Sequence, residues 1–132
     1  MTENPAGAPG AVVVDLAGVL RTVDQPWQPR TVATLNDYDV RVVRTAGEFT
    51  RHSHPETDEL FLVLSGSLTI VVERPEGPAR VELGPGQLCV VPAGTVHQPF
   101  SPNGAEVLLV EPATTVNTGD SPSHLTAPRR PA

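Results

Sequence analysis

The sequence predicts an all-β protein, a sandwich or barrel of short strands preceded by one helical turn. Three observations carry this. Valine occurs nineteen times in 132 residues, and β-branched side chains fit a pleated sheet better than a helix. Fifteen prolines and eleven glycines punctuate the chain too often for long helices. The apolar segments between them are short and follow one another at the spacing of a sandwich or barrel.

In chain order, residues 1–10 are small and Pro/Gly-rich and are expected to form a disordered arm. Residues 11–116 are expected to form the barrel, and residues 117–132 a polar C-terminal tail with a mobile end. Val12–Asp15 reads as a short strand, with Asp15 able to cap a single helical turn over Leu16–Leu20. Pro26, Trp27 and Pro29 make a rigid connector. Thr31–Leu35 and Tyr38–Arg44 read as strands around an Asn36-Asp37 turn, with Arg41 and Val43 on the face opposite Val40 and Val42. Leu60–Leu64 is continuously apolar, the pattern of a strand buried on both faces. Ser67–Glu73 returns after the Ser65-Gly66 turn. Ala79–Leu83, Gln87–Val91, Thr95–Gln98 and Ala105–Glu111 complete the set, each bounded by Gly or Pro.

Composition excludes several chemistries. The nine basic residues are all arginine, against fifteen acidic residues, for a net charge of −6. Without lysine there is no Schiff-base nucleophile and no P-loop phosphate site. An acidic chain with no basic cluster argues against nucleic acid as partner. The one cysteine, Cys89, reads as a small core residue and fits a reducing compartment. No apolar run is long enough to span a membrane, and the N-terminus has no signal-peptide pattern. The expected location is cytoplasmic.

Three of the four histidines gather in two glycine-bounded segments. In RHSHPETDE, His52 and His54 are two residues apart, so on an extended strand both point to one face. Glu59 can add a carboxylate there, and His97 follows the Pro92-Ala93-Gly94 turn. Three imidazoles and one carboxylate make a ligand set for one divalent transition metal ion: Zn, Fe, Ni, Mn or Cu. Asp58 and Glu56 are rival carboxylates, but Asp58 faces the opposite side of a strand from Glu59. His124, in the tail, is expected to have no such role. Arg44 and Arg51 flank the first segment and are candidates for pairing with an acidic substrate. Gln98 and Phe100 follow His97 and are candidates for substrate contact, while Phe49, Phe61, Tyr38 and Trp27 suit core packing or a pocket wall.

These residues resemble the two motifs of the cupin superfamily. The first, G-x5-H-x-H-x3,4-E-x6-G, reads here GEFTRHSHPETDELFLVLSG from Gly47 to Gly66, with Gly47 one residue too close to the histidines. The second, G-x5-P-x-G-x2-H-x3-N, reads GQLCVVPAGTVHQPFS from Gly86 to Ser101, with Ser101 in place of the final Asn. The resemblance implies a double-stranded β-helix, the cupin jelly-roll barrel, with His52, His54, Glu59 and His97 as metal ligands. It leaves the reaction open.

The expected function is therefore metal-dependent catalysis on a small oxygenated or anionic metabolite. Glu59 doubles as a proton carrier, and the reaction is isomerisation, cyclisation or dioxygenation, in the manner of secondary metabolism. The alternative is a non-catalytic small-molecule binder or sensor; a sugar-phosphate isomerase ranks lower. A homodimer is expected, because an exposed strand edge is a liability for a monomer. The segment Glu111–Asp120 (EPATTVNTGD) resembles the endings of many small bacterial cupins and has no evident chemistry.

Overall fold

The computed structural model describes residues 11–132; the expected arm at 1–10 lies outside the described residues. One helix, α1 (Leu16–Arg21), precedes seven strands: β1 (Arg30–Leu35), β2 (Tyr38–Glu48), β3 (Glu59–Gly66), β4 (Leu68–Val72), β5 (Ala79–Leu83), β6 (Leu88–Val91) and β7 (His97–Pro112). All pairings among these strands are antiparallel. One path runs β1-β2-β7-β3-β6, while β4 pairs with both β5 and β7.

β7 organises the barrel. Its first half pairs with β4, from Val72 opposite His97 to Thr69 opposite Phe100. Its second half lies between β2 and β3. The two segments expected as separate strands, Thr95–Gln98 and Ala105–Glu111, thus belong to one sixteen-residue strand. The chain turns out at Pro102–Gly104 and resumes without losing its inward parity. His97, Pro99, Ser101, Ala105, Val107, Leu109 and Glu111 are all buried while their even-numbered neighbours are not. Period-two alternation therefore sends His97 and Glu111, at opposite ends of one strand, into the same interior.

The core is aliphatic: Val63, Leu68, Ile70, Leu83, Val91, Val107 and Leu109, joined by Phe61. Cys89 packs partly buried against it, as expected. On the outer face, Val19 and Leu20 of α1 cover Val42, with Leu64 and Leu108 beside them.

Four local expectations are corrected. Val12–Asp15 forms no strand. Asp15 does stand at the N-cap, but its side chain makes no capping bond and its carboxylate lies 3.8 Å from Arg21 instead. β3 is not buried on both faces: Glu59, Phe61 and Val63 point inward, whereas Leu60, Leu62 and Leu64 are half-buried on the outside. Their partners on β6 continue that face outward, Leu60 opposite Val90 and Leu62 opposite Leu88. Finally, the tail expected to end in a mobile segment is packed on the barrel. Arg129 pairs with Asp39 at 2.8 Å, and the Ala132 amide donates to the Thr31 carbonyl at 2.9 Å.

Candidate metal centre

The His52–His54 segment lies in the connection between β2 and β3 and is held extended by one bridge to β7. His52 N donates to His97 O at 3.0 Å, and His97 N returns to His52 O at 2.8 Å. That reciprocal pair brings three imidazoles together. Glu59 opens β3 on its inward parity. Asp58 instead faces out and accepts the Ala93 amide at 2.8 Å, and Glu56 is exposed.

All four side chains are buried, and their ligand atoms lie within 4.8 Å of one another. His52 Nε2 is 3.2 Å from His54 Nε2. Glu59 Oε1 is 3.3 Å from both His54 Nε2 and His97 Nε2. Nδ1 of His52 lies 2.7 Å from the Thr50 carbonyl and Nδ1 of His97 lies 2.9 Å from the Thr95 carbonyl. Only an N–H satisfies a carbonyl, so both rings carry a proton on Nδ1, and in the neutral form that binds an ion each would turn a bare Nε2 lone pair inward. Lone pairs converging with a carboxylate in a buried space repel one another unless a cation sits between them. Ligands about 2.1 Å from one ion stand about 3–4 Å apart, the spacing of the three contacts at 3.2–3.3 Å. The donor set fits a divalent transition metal ion.

Glu59 does not stand alone. Burial alone would push its carboxyl up. Hydrogen bonds from His54, His97 and Glu111 outweigh that and hold it below the usual carboxylate range. Glu111 is itself buried. Burial first, then the negative charge of Glu59 and a hydrogen bond to it, push Glu111 well above the usual range, against the pull of Arg41. As a carboxylate, Glu111 would leave Oε1 without a donor. As a carboxylic acid it donates that proton to Glu59, and two adjacent buried carboxylates do not both ionise.

Behind Glu111 stands Arg41, buried, with all five N–H groups used. Nη1 donates to Glu111 Oε2 at 2.7 Å and to Thr115 O at 3.0 Å. Nη2 donates to Asp39 Oδ2 and to Ala113 O, both at 3.1 Å, and Nε donates to Asp39 Oδ2 at 3.3 Å. Asp39 is held down to about 2, first by Arg129, against the opposing effect of burial, and further by Arg41 and Thr31.

A narrow cavity of about 30 Å³, open to solvent at its mouth, adjoins the His/Glu cluster. Apart from His52, Glu59, Glu111 and Asn117 its walls are mainly apolar, with Phe49, Phe61 and Trp27 prominent. Trp27 takes an unusual left-handed backbone, φ +65°. It is anchored by its amide on Arg44 O and its indole N–H on Ala46 O, both 2.8 Å. Its ring stacks at 4.6 Å on Phe49.

The structure separates the other expected site residues from this cavity. Arg44 is on the outer face, donating to Leu20 O and lying 3.5 Å from Glu106. Arg51 pairs with Glu73 at 2.8 Å in solvent. Gln98 donates to the Phe49 carbonyl at 2.9 Å. It shares the outward parity of Phe100, opposite to His97. None of the four lines the cavity. Tyr38 is exposed. The residues missed were Arg41, Glu111, Asn117 and Asp120. Parity could have found the first two, since both sit among inward apolar residues of their strands.

The His52 environment has a measurable consequence. Burial, reinforced by the His97 ring, pushes its imidazole down to about 4. An unfolded chain takes up that proton near pH 6.5, so between 6.5 and 4 the unfolded state binds more protons. Stability therefore falls as pH drops through this window and this group adds no further loss below it. The metal-free protein is expected to lose about 3 kcal/mol in this way. Urea unfolding with chelator at pH 7 and pH 4.5 measures it, and equal midpoints would contradict it.

The pattern of the cupin domain family matches residues 39–111. The uncharacterized protein YdbB of Bacillus subtilis is 32% identical over 84 residues, 64% of this chain and 72% of YdbB. The crystal structure of a cupin-2 domain containing protein from Shewanella frigidimarina aligns with a TM-score of 0.70 at 33% identity. The match covers 76% of this chain and 94% of that one. Hydroquinone 1,2-dioxygenase from Sphingomonas sp. TTNP3, in complex with 4-nitrophenol, aligns with a TM-score of 0.70 at 26% identity. That match covers 85% of this chain and 36% of the dioxygenase chain.

Proposed function

The chain belongs to the cupin domain family, and on that footing we propose that it is a metal-dependent enzyme acting on a small oxygen-bearing metabolite. The observation that carries this is the direct contact between the ligand set and an apolar cavity: His52 and Glu59 belong to both. A bound divalent ion would polarise an oxygen of the substrate and, if redox-active, support reaction with O₂. His52, His54, Glu59 and His97 would hold it.

The protein's own contribution is orientation and proton handling. The mainly apolar cavity walls favour a flat, mostly apolar body, with the His/Glu end left for a polar substituent. Trp27 and Phe49 offer a face to an aromatic or enol plane. We favour dioxygenation of a hydroxylated aromatic or enolic substrate on this shape, supported by the likeness to a hydroquinone 1,2-dioxygenase. The second reading, isomerisation or cyclisation without O₂, draws on the Glu59–Glu111 pair, which holds one proton between two carboxyl groups and can move it. A sugar-phosphate substrate is disfavoured because no arginine lines the cavity and every N–H of Arg41 is already used.

The test is an oxygen electrode with protein purified without chelator, loaded in turn with Fe(II) and Zn(II) and offered hydroquinones, flavonols and polyketide enols. Oxygen uptake with Fe(II) alone supports dioxygenation. Product without oxygen uptake under Zn(II) supports the second reading. Every compound recovered unchanged would favour a binder or sensor.

Partners other than a small molecule are expected to be a second copy of the chain. The chain is acidic, and no helix among the described residues is long and apolar enough to cross a membrane. Leu88 and Val90 are 59% and 49% exposed beside half-buried Leu60 and Leu62, an apolar sheet face of the kind that marks an interface. Sedimentation at micromolar concentration is expected to give twice the chain mass, falling to a single chain in Leu88→Asp. A wild-type monomer would contradict this.

A further inference from the structure

We propose that Asp120 positions the His52–His54 pair for ion binding, gripping the segment between them from outside through Ser53. This rests on the metal reading above and goes beyond it.

The histidine segment lies outside the named strands. On its inner side it is tied to His97 by the reciprocal bridge and to Gly94, whose amide donates to His54 O at 2.9 Å. On its outer side the tie comes from Asp120, 67 residues beyond Ser53. Ser53 N donates to Asp120 Oδ1 at 2.8 Å, and Ser53 Oγ donates to Asp120 Oδ2 at 3.0 Å. The Asp120 amide closes the set on Ser53 O at 3.0 Å. Three polar groups of one residue, the one between two ligands, are thus held by one partner. Thr50 adds a hydroxyl contact to Ser123 at 2.7 Å.

Close approach depends on Gly119. Its φ is +56°, and a Cβ there would overlap Ser53 O and stand 2.9 Å from His52 Cδ2. Glycine alone takes both the conformation and the contact without strain. The segment Glu111–Asp120 now has a chemical account. Glu111 is buried and accepts from Arg41 Nη1 at 2.7 Å. Asn117 Nδ2 donates to Leu125 O and, at 3.4 Å, to Trp27 O at the cavity wall. Asp120 holds the His-x-His backbone. Nearly all of this segment follows the residues matched by the family pattern.

Groups that orient metal ligands typically account for ten- to a hundredfold in affinity. Acting through the backbone, Asp120 is expected to sit at the low end. Titration of the full chain with Zn(II) should show about tenfold weaker binding in Asp120→Ala than in wild type, with altered visible bands of the Co(II) form. Asp120→Asn keeps an acceptor for Ser53 N–H and should recover most of the affinity. Leu20→Ala, a buried α1 residue remote from the histidines, should lower Tm while leaving affinity and spectrum unchanged. Ser53→Ala, which loses only the Oγ bond, should weaken binding in the same direction and serves if Asp120→Ala does not fold. Wild-type affinity and an unchanged Co(II) spectrum in the Asp120 variant, or in Ser53→Ala in its place, overturn the inference alone. A wild-type chain that binds neither ion overturns the metal reading and this inference with it.

Discussion

His97→Ala is expected to reduce divalent-ion affinity at least a hundredfold while the barrel still folds. Partners one step removed from an ion already account for ten- to a hundredfold, and His97 offers its Nε2 directly. It is also the link between elements: its backbone bridges His52 and its ring lies 3.3 Å from Glu59. Alanine keeps the backbone bridge, so the His-x-His segment stays in register. The lost ring leaves a cavity and a stability cost of about 1–3 kcal/mol. Removing a second imidazole 4.4 Å from His52 offsets part of that by allowing His52 to take up a proton more easily. Calorimetric titration with Zn(II), alongside thermal melts, separates the two effects. Wild-type affinity in a folded variant would remove His97 from the ligand set.

Arg41→Met is expected to have the largest effect on stability. Breaking a buried ion pair by removing one partner costs about 3–5 kcal/mol, because the remaining charge is left uncompensated. Here one guanidinium serves two carboxyl groups and two carbonyls. Asp39 retains Arg129 and Thr31, and Glu111 can remain protonated against Glu59, so the loss falls mainly on the Ala113 and Thr115 carbonyls and on Asp39. For a chain of this length the drop in Tm is about 10 °C or more. Adding Glu111→Gln should recover little, since the orphaned carbonyls remain. A Tm within about 2 °C of wild type would mean that the network contributes nothing net.

The clustering of three histidines with Glu59 was legible in the sequence because its signal is local. His52 and His54 share a face by strand periodicity, and Glu59 stands one parity step from Asp58. His97 depends on a turn marked by Pro92 and Gly94. The barrel strands were legible from alternation and from Gly/Pro punctuation. What escaped depends on contacts distant in sequence. Arg44, Arg51, Gln98 and Phe100 were chosen for nearness to the motifs along the chain, whereas facing is decided by parity. Gln98 and Phe100, one and three residues from His97, face away from it. Arg41 shares a face with Val43, and its burial becomes intelligible only when Asp39 and Glu111 converge on it. The tail read as mobile because it is polar. Its hydrogen bonds to Ser53, Trp27 and Asp39 join residues far apart in the chain, which composition does not register.

The central claim is that His52, His54, Glu59 and His97 share one ion. Anomalous diffraction at a metal absorption edge, on crystals of the full chain grown with one equivalent of Zn(II), tests it most directly. The account predicts a single strong peak about 2.0–2.2 Å from the three Nε2 atoms and a Glu59 oxygen. A peak held elsewhere, for instance at His124, or no peak among these four side chains, would contradict it.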